Sequence, residues 1–228
     1  MDIHKPKPWH GFREFLKEYL IIVVGVLTAL GAEQAVEWLH TAHSARAADS
    51  RVREEASRLM ALADERIAAA PCVAGELAKV RGVLSSGAPL PNLPRLRTPP
   101  FRPGTMAEWD SALRSGLHEH FPEPEQRFLP LIAGTARVLG DTEVRERELW
   151  QRLATIEGNP RSLDPVTRES LLQIAVLADE LNNDVRVVSA QLIKNGESAG
   201  LSPLQRDPDG TPVTHAAEIR AHGCQTWP

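Results

Sequence analysis

The pattern of hydrophobic and polar positions changes character along this chain, and each change predicts an element. Residues 19–32, YLIIVVGVLTALGA, carry no charge and no continuous polar face. A helix that is apolar all round is buried in protein or lies in lipid, because a helix facing water keeps one polar side. Fourteen residues are short for a span, which takes roughly 20. The flanks supply the rest: Phe12, Phe15 and Leu16 before the run, and Ala35, Val36, Trp38 and Leu39 after it, extend the apolar surface past both charged ends. Lys17 can snorkel toward the headgroups.

From residue 44 the pattern becomes amphipathic. Val52, Ala56, Leu59, Ala63, Ile67 and Ala70 are spaced by threes and fours, with Arg51, Arg53, Glu54, Arg58, Asp64 and Glu65 between them, which predicts a helix over 44–70. Pro71 predicts a break, since an internal proline removes a backbone donor and clashes with the preceding turn. A shorter helix follows over 73–84, ended by Ser85-Ser86-Gly87. Pro89, Pro91, Pro94, Pro99, Pro100 and Pro103 make 88–104 an extended connector. Thr105 with Glu108 is a capping-box pattern opening a helix with Trp109, Leu113 and Leu117 on one side, stopping near Phe121-Pro122.

A longer helix over 124–156 uses Phe128, Ile132, Leu139, Leu149 and Leu153 and has a polar middle from Thr142 to Glu148; Gly158-Asn159-Pro160 ends it. Asp164-Pro165 supplies an N-cap and a first-turn proline for the next helix. There Leu171, Ala178, Val185 and Leu192 repeat every seven residues, with Ile174, Leu181 and Val188 at the alternate positions, an a/d stripe suited to bundle packing. Asn195-Gly196 reads as its stop. Residues 197–228 are loop-rich, with one short helix over 214–222.

These elements predict an all-α protein: a single N-terminal transmembrane helix continuing into an antiparallel helical bundle built from 44–70, 124–156 and 165–194. Composition agrees, because aromatic residues are only 5% of the chain and Ala, Leu, Arg and Glu dominate long stretches. A length of 228 residues with 42% hydrophobic content is enough for one core. Charge adds orientation. Lys5, Lys7, Arg13 and Lys17 precede the apolar run, and Arg46 is the first Lys or Arg after it. The positive-inside rule then puts the N-terminus in the cytoplasm.

The expected organisation is a cytoplasmic juxtamembrane segment (1–18), a transmembrane anchor (19–39), an extracytoplasmic bundle (40–196) that includes the connector 88–104, and a tail (197–228). Two other readings of the N-terminus are a signal peptide cleaved at Ala29-Leu30-Gly31 and a helix of a soluble protein. The strongly helical continuation AEQAVEWLHTAHSARAA favours an uncleaved signal-anchor. A net charge of -4, with 26 basic residues interleaved among 30 acidic ones, argues against a nucleic-acid partner.

Candidate chemistry is sparse. Gly25, Thr28, Ala29 and Ala32 fall at i, i+3, i+4 and i+7, a face of small residues that lets another transmembrane helix approach closely. Cys72 and Cys224 are the two cysteines; outside the cytoplasm they could pair and close a loop of about 150 residues, worth roughly 3 to 5 kcal/mol. Glu37 and His40 have the Glu-x-x-His spacing found in di-iron bundles, but no second copy exists on another helix. His43 and Glu33, each one turn away, could complete a surface metal site, although a solvated polar helix explains them better. His215, Glu218 and His222 cluster in the tail in a different order, and His118-Glu119-His120 reads as an ordinary helix end. The chain carries no nucleophile elbow, phosphate loop or cofactor motif. The expectation is a non-enzyme with no cofactor.

Two segments together carry a resemblance. Residues 13–39, REFLKEYLIIVVGVLTALGAEQAVEWL, and residues 107–117, AEWDSALRSGL, resemble an uncharacterised bacterial family of small proteins with an N-terminal membrane anchor and a helical extracytoplasmic region. Trp109, Ala112, Ser115 and Gly116 match its Trp-x-x-Ala-x-x-Ser-Gly-like helix. The resemblance implies a single-pass inner-membrane protein with a periplasmic domain, and it implies no activity. The expected role is an interaction or accessory subunit of a membrane complex, in contact with the bilayer and with a membrane-protein partner or itself. A ligand- or metal-sensing periplasmic bundle that signals through a partner is the alternative, since only about 18 residues are left on the cytoplasmic side. A metal-dependent enzyme around Glu37 and His40 ranks below both.

Overall fold

The computed structural model describes residues 11–102, 104–158 and 160–225. Lys5, Lys7, Trp9, Pro103 and Asn159 therefore lie outside the described residues. All regular elements among those described are helices: α1 (Phe12–Ser85), α2 (Ala107–Ser115), α3 (Glu123–Leu153), α4 (Pro165–Ser198) and α5 (Ala216–His222). Single 3₁₀ turns follow α2, α3 and α5. The all-α class is as the patterning predicts. The chain divides into two compact units, 1–46 and 47–228.

In the first unit the described residues lie almost entirely in α1. Most of its large apolar side chains, including Phe12, Ile21, Val24, Leu27, Leu30 and Trp38, face outward. Phe15 stacks on Tyr19 with ring centroids 6.3 Å apart. Among the described helices, α1 alone is long and apolar enough to cross a membrane.

The second unit holds two apolar clusters. One joins Val52, Leu59 and Met60 of α1 to Trp109 of α2, Ile132 of α3 and Leu192 of α4. The other joins Val73, Leu77 and Leu84 of α1 to Leu90 of the connector, Trp150 of α3, Ala175 of α4 and Ile219 of α5. Between them, along α1, α3 and α4 alike, lies a short polar layer.

The structure corrects several expected boundaries. Pro71 does not break the first amphipathic helix; it lies inside α1. An internal proline costs about 3 kcal/mol or more, and the neighbouring turn is held from outside. Ala69 and Val73 are fully buried, the Asn182 amide donates to the Ala70 carbonyl at 3.1 Å, and Cys72 is paired with Cys224. The helix ends at Ser85, where the Arg168 guanidinium donates to the carbonyls of Leu84 and Ala88 at 2.9 and 2.6 Å.

The capping box at Thr105 is not formed. Met106 precedes α2 with no side-chain cap, and the Glu55 carboxylate of α1 accepts the Ala107 and Glu108 N–H groups at 2.7 and 3.0 Å. A carboxylate from a neighbouring helix thus satisfies the free donors of the first turn. Trp109 is buried with Ala112, while Leu113 faces out, and Gly116 ends α2 at φ +73°. The Asp164 N-cap is formed as expected, accepting from the Thr167 N–H at 3.0 Å. The described residues of connector 88–104 form no helix; isolated antiparallel bridges from Leu90 to Arg161 and from Leu93 to Gly158 fix it.

On α4 the seven-residue stripe Leu171, Ala178, Val185, Leu192 is buried as predicted, but its companions differ. Ala175, Asn182, Ser189 and Gly196 are inside, and Ile174, Leu181 and Val188 are only half-buried. Small residues win these places because α1 comes close: a Cβ added at Gly196 would run into the Met60 side chain. Asn195-Gly196 is accordingly not a stop. The helix runs on to Ser198 and closes at Gly200, with φ +75°. There the Leu201 N–H reaches the Gly196 carbonyl at 2.9 Å and the Gly200 N–H reaches the Glu197 carbonyl at 3.0 Å, a Schellman motif.

Candidate functional site

The polar layer between the two clusters is where the fold concentrates ionisable groups. On α3 the buried stripe reads Ala136, Leu139, Glu143, Glu146, Trp150, Leu153, spaced by threes and fours, so both glutamates occupy core positions. On α1 the matching position is Arg66, not Ile67 as the periodicity suggested; Arg66 is 2% exposed and Ile67 is half-buried. The Arg66 Nη2 donates to Glu146 Oε2 at 2.6 Å, and Arg66 Nε lies 3.6 Å from Glu143 Oε1. Glu143 and Glu146 are 4% and 0% exposed. One guanidinium thus faces two carboxylates away from solvent. Arg66 Nε and Nη1 make no hydrogen bond among the described residues, and a cavity of about 10 Å³ opens beside them, bounded also by Arg102, Gly104 and Leu139.

A third buried carboxylate, on α1, adjoins this group. Glu65 accepts the His215 N–H at 2.7 Å and lies 3.3 Å from Arg102 Nε, while Arg102 Nη1 donates to the Val213 carbonyl at 3.1 Å. Glu65 therefore ties the connector and the tail to α1. The Arg147 guanidinium stacks over the Phe101 ring at 5.0 Å.

Electrostatics follow from the count of charges. Burial pushes the Glu143 carboxyl up to about 7, opposed by Arg66 and Arg147 and reinforced by Glu146. Burial also raises Glu146, against the attraction and hydrogen bond of Arg66. One of the two protons is thereby held near neutral pH, in an enclosed place. The layer can take up and release a proton and can fix the register of α1 against α3. The signal for it in the sequence was the polar middle 142–148 standing in phase with the apolar stripe.

The residues singled out from the sequence lie elsewhere. Gly25, Thr28, Ala29 and Ala32 are exposed on α1 in the first unit, and a Cβ at Gly25 would meet nothing within 4 Å. Glu37, His40 and His43 are exposed on the same helix. Among the described residues no three His, Cys, Asp or Glu side chains come together as a metal-binding group. His215 and Glu218 pair at 3.1 Å in and just before α5. Cys72 and Cys224 are at disulfide distance, their Cα atoms 5.3 Å apart across 152 positions of sequence. No family model, curated protein or solved structure matches this chain.

Proposed function

We propose that this chain is a membrane-anchored, non-enzymatic interaction or accessory subunit of a bacterial membrane complex. Residues 19–39 span the inner membrane once, with the N-terminus in the cytoplasm and the antiparallel helical bundle in the periplasm. The observation that carries the reading is the outward apolar surface of α1 in the first unit, none of whose most hydrophobic window is buried by the chain itself. Such a surface needs lipid or another helix. The paired cysteines support the periplasmic side, since disulfides persist in oxidising compartments. The open face of Gly25, Thr28, Ala29 and Ala32 suits a second transmembrane helix, from a partner or from another copy. No nucleic acid and no cofactor enter this role.

The test is purification of the intact chain from carbonate-washed membranes in mild detergent, with mass spectrometry of whatever accompanies it. The expected result is full-length mass and a stoichiometric companion or dimer, weakened by Gly25→Leu with Ala29→Leu. Recovery of monomer only, or of the chain in the soluble fraction, would count against the proposal.

A further inference from the structure

Away from the buried charges, the second unit carries an open groove of about 400 Å³ between the last turns of α1 and the connector. Its floor is apolar: Val80, Val83, Leu93, Leu96 and Ile156. Its rim is cationic, with Lys79, Arg95 and Arg97 against a single carboxylate, Glu76. Glu76 is already engaged, lying 3.2 Å from Lys79 Nζ and accepting the Arg97 N–H at 3.5 Å. Glu157, the other acid nearby, accepts the Leu96 N–H at 2.9 Å. Arg95 is exposed and has no ion-pair partner among the described residues. Arg97 gives one donor to the Cys224 carbonyl at 2.8 Å, and its guanidinium has no other partner among the described residues.

The backbone narrows the ligand class. Strand addition by a peptide needs free N–H and C=O groups on the connector. Leu93 exchanges both of its groups with Gly158, Pro94 has no N–H, and the N–H groups of Leu96 and Arg97 are taken by glutamates. With these groups taken the edge is broken for a continuous strand pairing, and recognition falls to the side chains, an apolar floor with guanidinium groups at one edge. The volume sits near the lower end of ligand pockets, ~300–1,000 Å³, which suits one acyl chain better than two.

We infer that this groove binds a single-chain acyl carboxylate, a fatty acid, with the chain on Val80, Val83 and Leu93 and the carboxylate at Arg95 and Arg97. Charge complementarity selects the head, since a guanidinium fork matches a carboxylate with two parallel hydrogen bonds.

The intact chain in phosphatidylcholine nanodiscs, irradiated with a diazirine-tagged palmitic acid, tests this by mass spectrometry of the labelled peptides. Labelling is expected on peptides containing Val80, Val83 or Leu93, in addition to any on residues 12–39 from probe dissolved in the bilayer. Excess unlabelled palmitic acid should remove the groove signal, and hexadecanol should not. Arg95→Glu, an exposed change that breaks no ion pair, should reduce groove labelling at least five-fold while leaving that on 12–39 unchanged. Arg97→Gln should reduce it too, so the inference does not depend on one variant. Labelling confined to 12–39, equal competition by hexadecanol, or full groove labelling in both variants would overturn it.

Discussion

α1 places its side chains by opposite rules in its two parts. In residues 12–39 it turns Phe, Ile, Val and Leu outward. Further along, at Arg66, it turns a guanidinium inward to meet Glu143 and Glu146. Each half breaks the rule that apolar groups go inside and charges outside, and each is intelligible once its surroundings are named. An outward apolar surface is stable where the solvent is hydrocarbon. An inward charge is tolerated where a countercharge and hydrogen bonds stand within reach, although here two carboxylates compete for one guanidinium away from solvent.

The comparison can be broken most forcefully at Arg66. Arg66→Met leaves Glu143 and Glu146 buried without their cation and should destabilise the second unit by about 3–5 kcal/mol at pH 8, read from thermal unfolding of the intact chain in nanodiscs. Adding Glu143→Leu and Glu146→Leu should restore most of that loss, because an apolar triad of similar volume needs no desolvation. Failure of the triple variant to recover would show that the charges are needed for more than mutual neutralisation.

On the other side, Val24→Arg puts a charge where hydrocarbon is expected. Its insertion should be disfavoured by roughly 2.5–3.5 kcal/mol, moving a measurable part of the chain from the membrane to the soluble fraction. Unchanged fractionation would mean that the outward apolar surface is not in lipid.

The pH dependence sharpens the buried half. The folded Glu143 carboxyl sits at about 7 against an ordinary 4.5, so between these values the folded chain binds more protons than the unfolded one. Its contribution to stability is full below pH 4.5 and is lost as pH rises to 7. Arg66 from α1, Glu146 and Arg147 from α3 and Arg102 from the connector are the charged groups that surround it. Glu143→Gln should abolish this component: the variant should be about 1–3 kcal/mol more stable than the parent at pH 8 and nearly equal to it at pH 4.5. Parallel pH curves for the two chains would refute the assignment.

The smallest effect compares one substitution in both places. Gly196→Ala must displace Met60 and should cost about 1–3 kcal/mol despite the higher helix propensity of alanine. Gly25→Ala meets nothing within 4 Å among the described residues; it should leave unfolding unchanged and show itself only in association, by a shift in the amount of companion recovered from detergent.

Much of the helical architecture was legible in the residues. The seven-residue stripe of α4, the Asp164 cap and the proline-rich connector each express local chemistry that operates before tertiary contacts form. Local rules failed where a neighbour intervened. Pro71 is carried through α1 by burial on both sides, Glu55 replaces the Thr105 cap, and Gly196 serves close packing while Gly200 ends the helix. The buried charges were half visible, as glutamates in phase with the α3 stripe. Their partner was not, because Arg66 and Ile67 differ by only about 100° around the helix, and nothing local says which of them faces inward.

By itself, then, the sequence determined that this chain is helical, that its first apolar stretch suits a bilayer, and that Leu171, Ala178, Val185 and Leu192 of its last long helix face a core. These are properties of periodicity and of single side chains. Only the tertiary structure decided that Arg66 meets two carboxylates, that Cys72 and Cys224 come within 5.3 Å, and that Lys79, Arg95 and Arg97 edge one groove. Each of those juxtaposes residues far apart in the chain, and their meeting depends on the rotation of whole helices against one another, which no local pattern encodes.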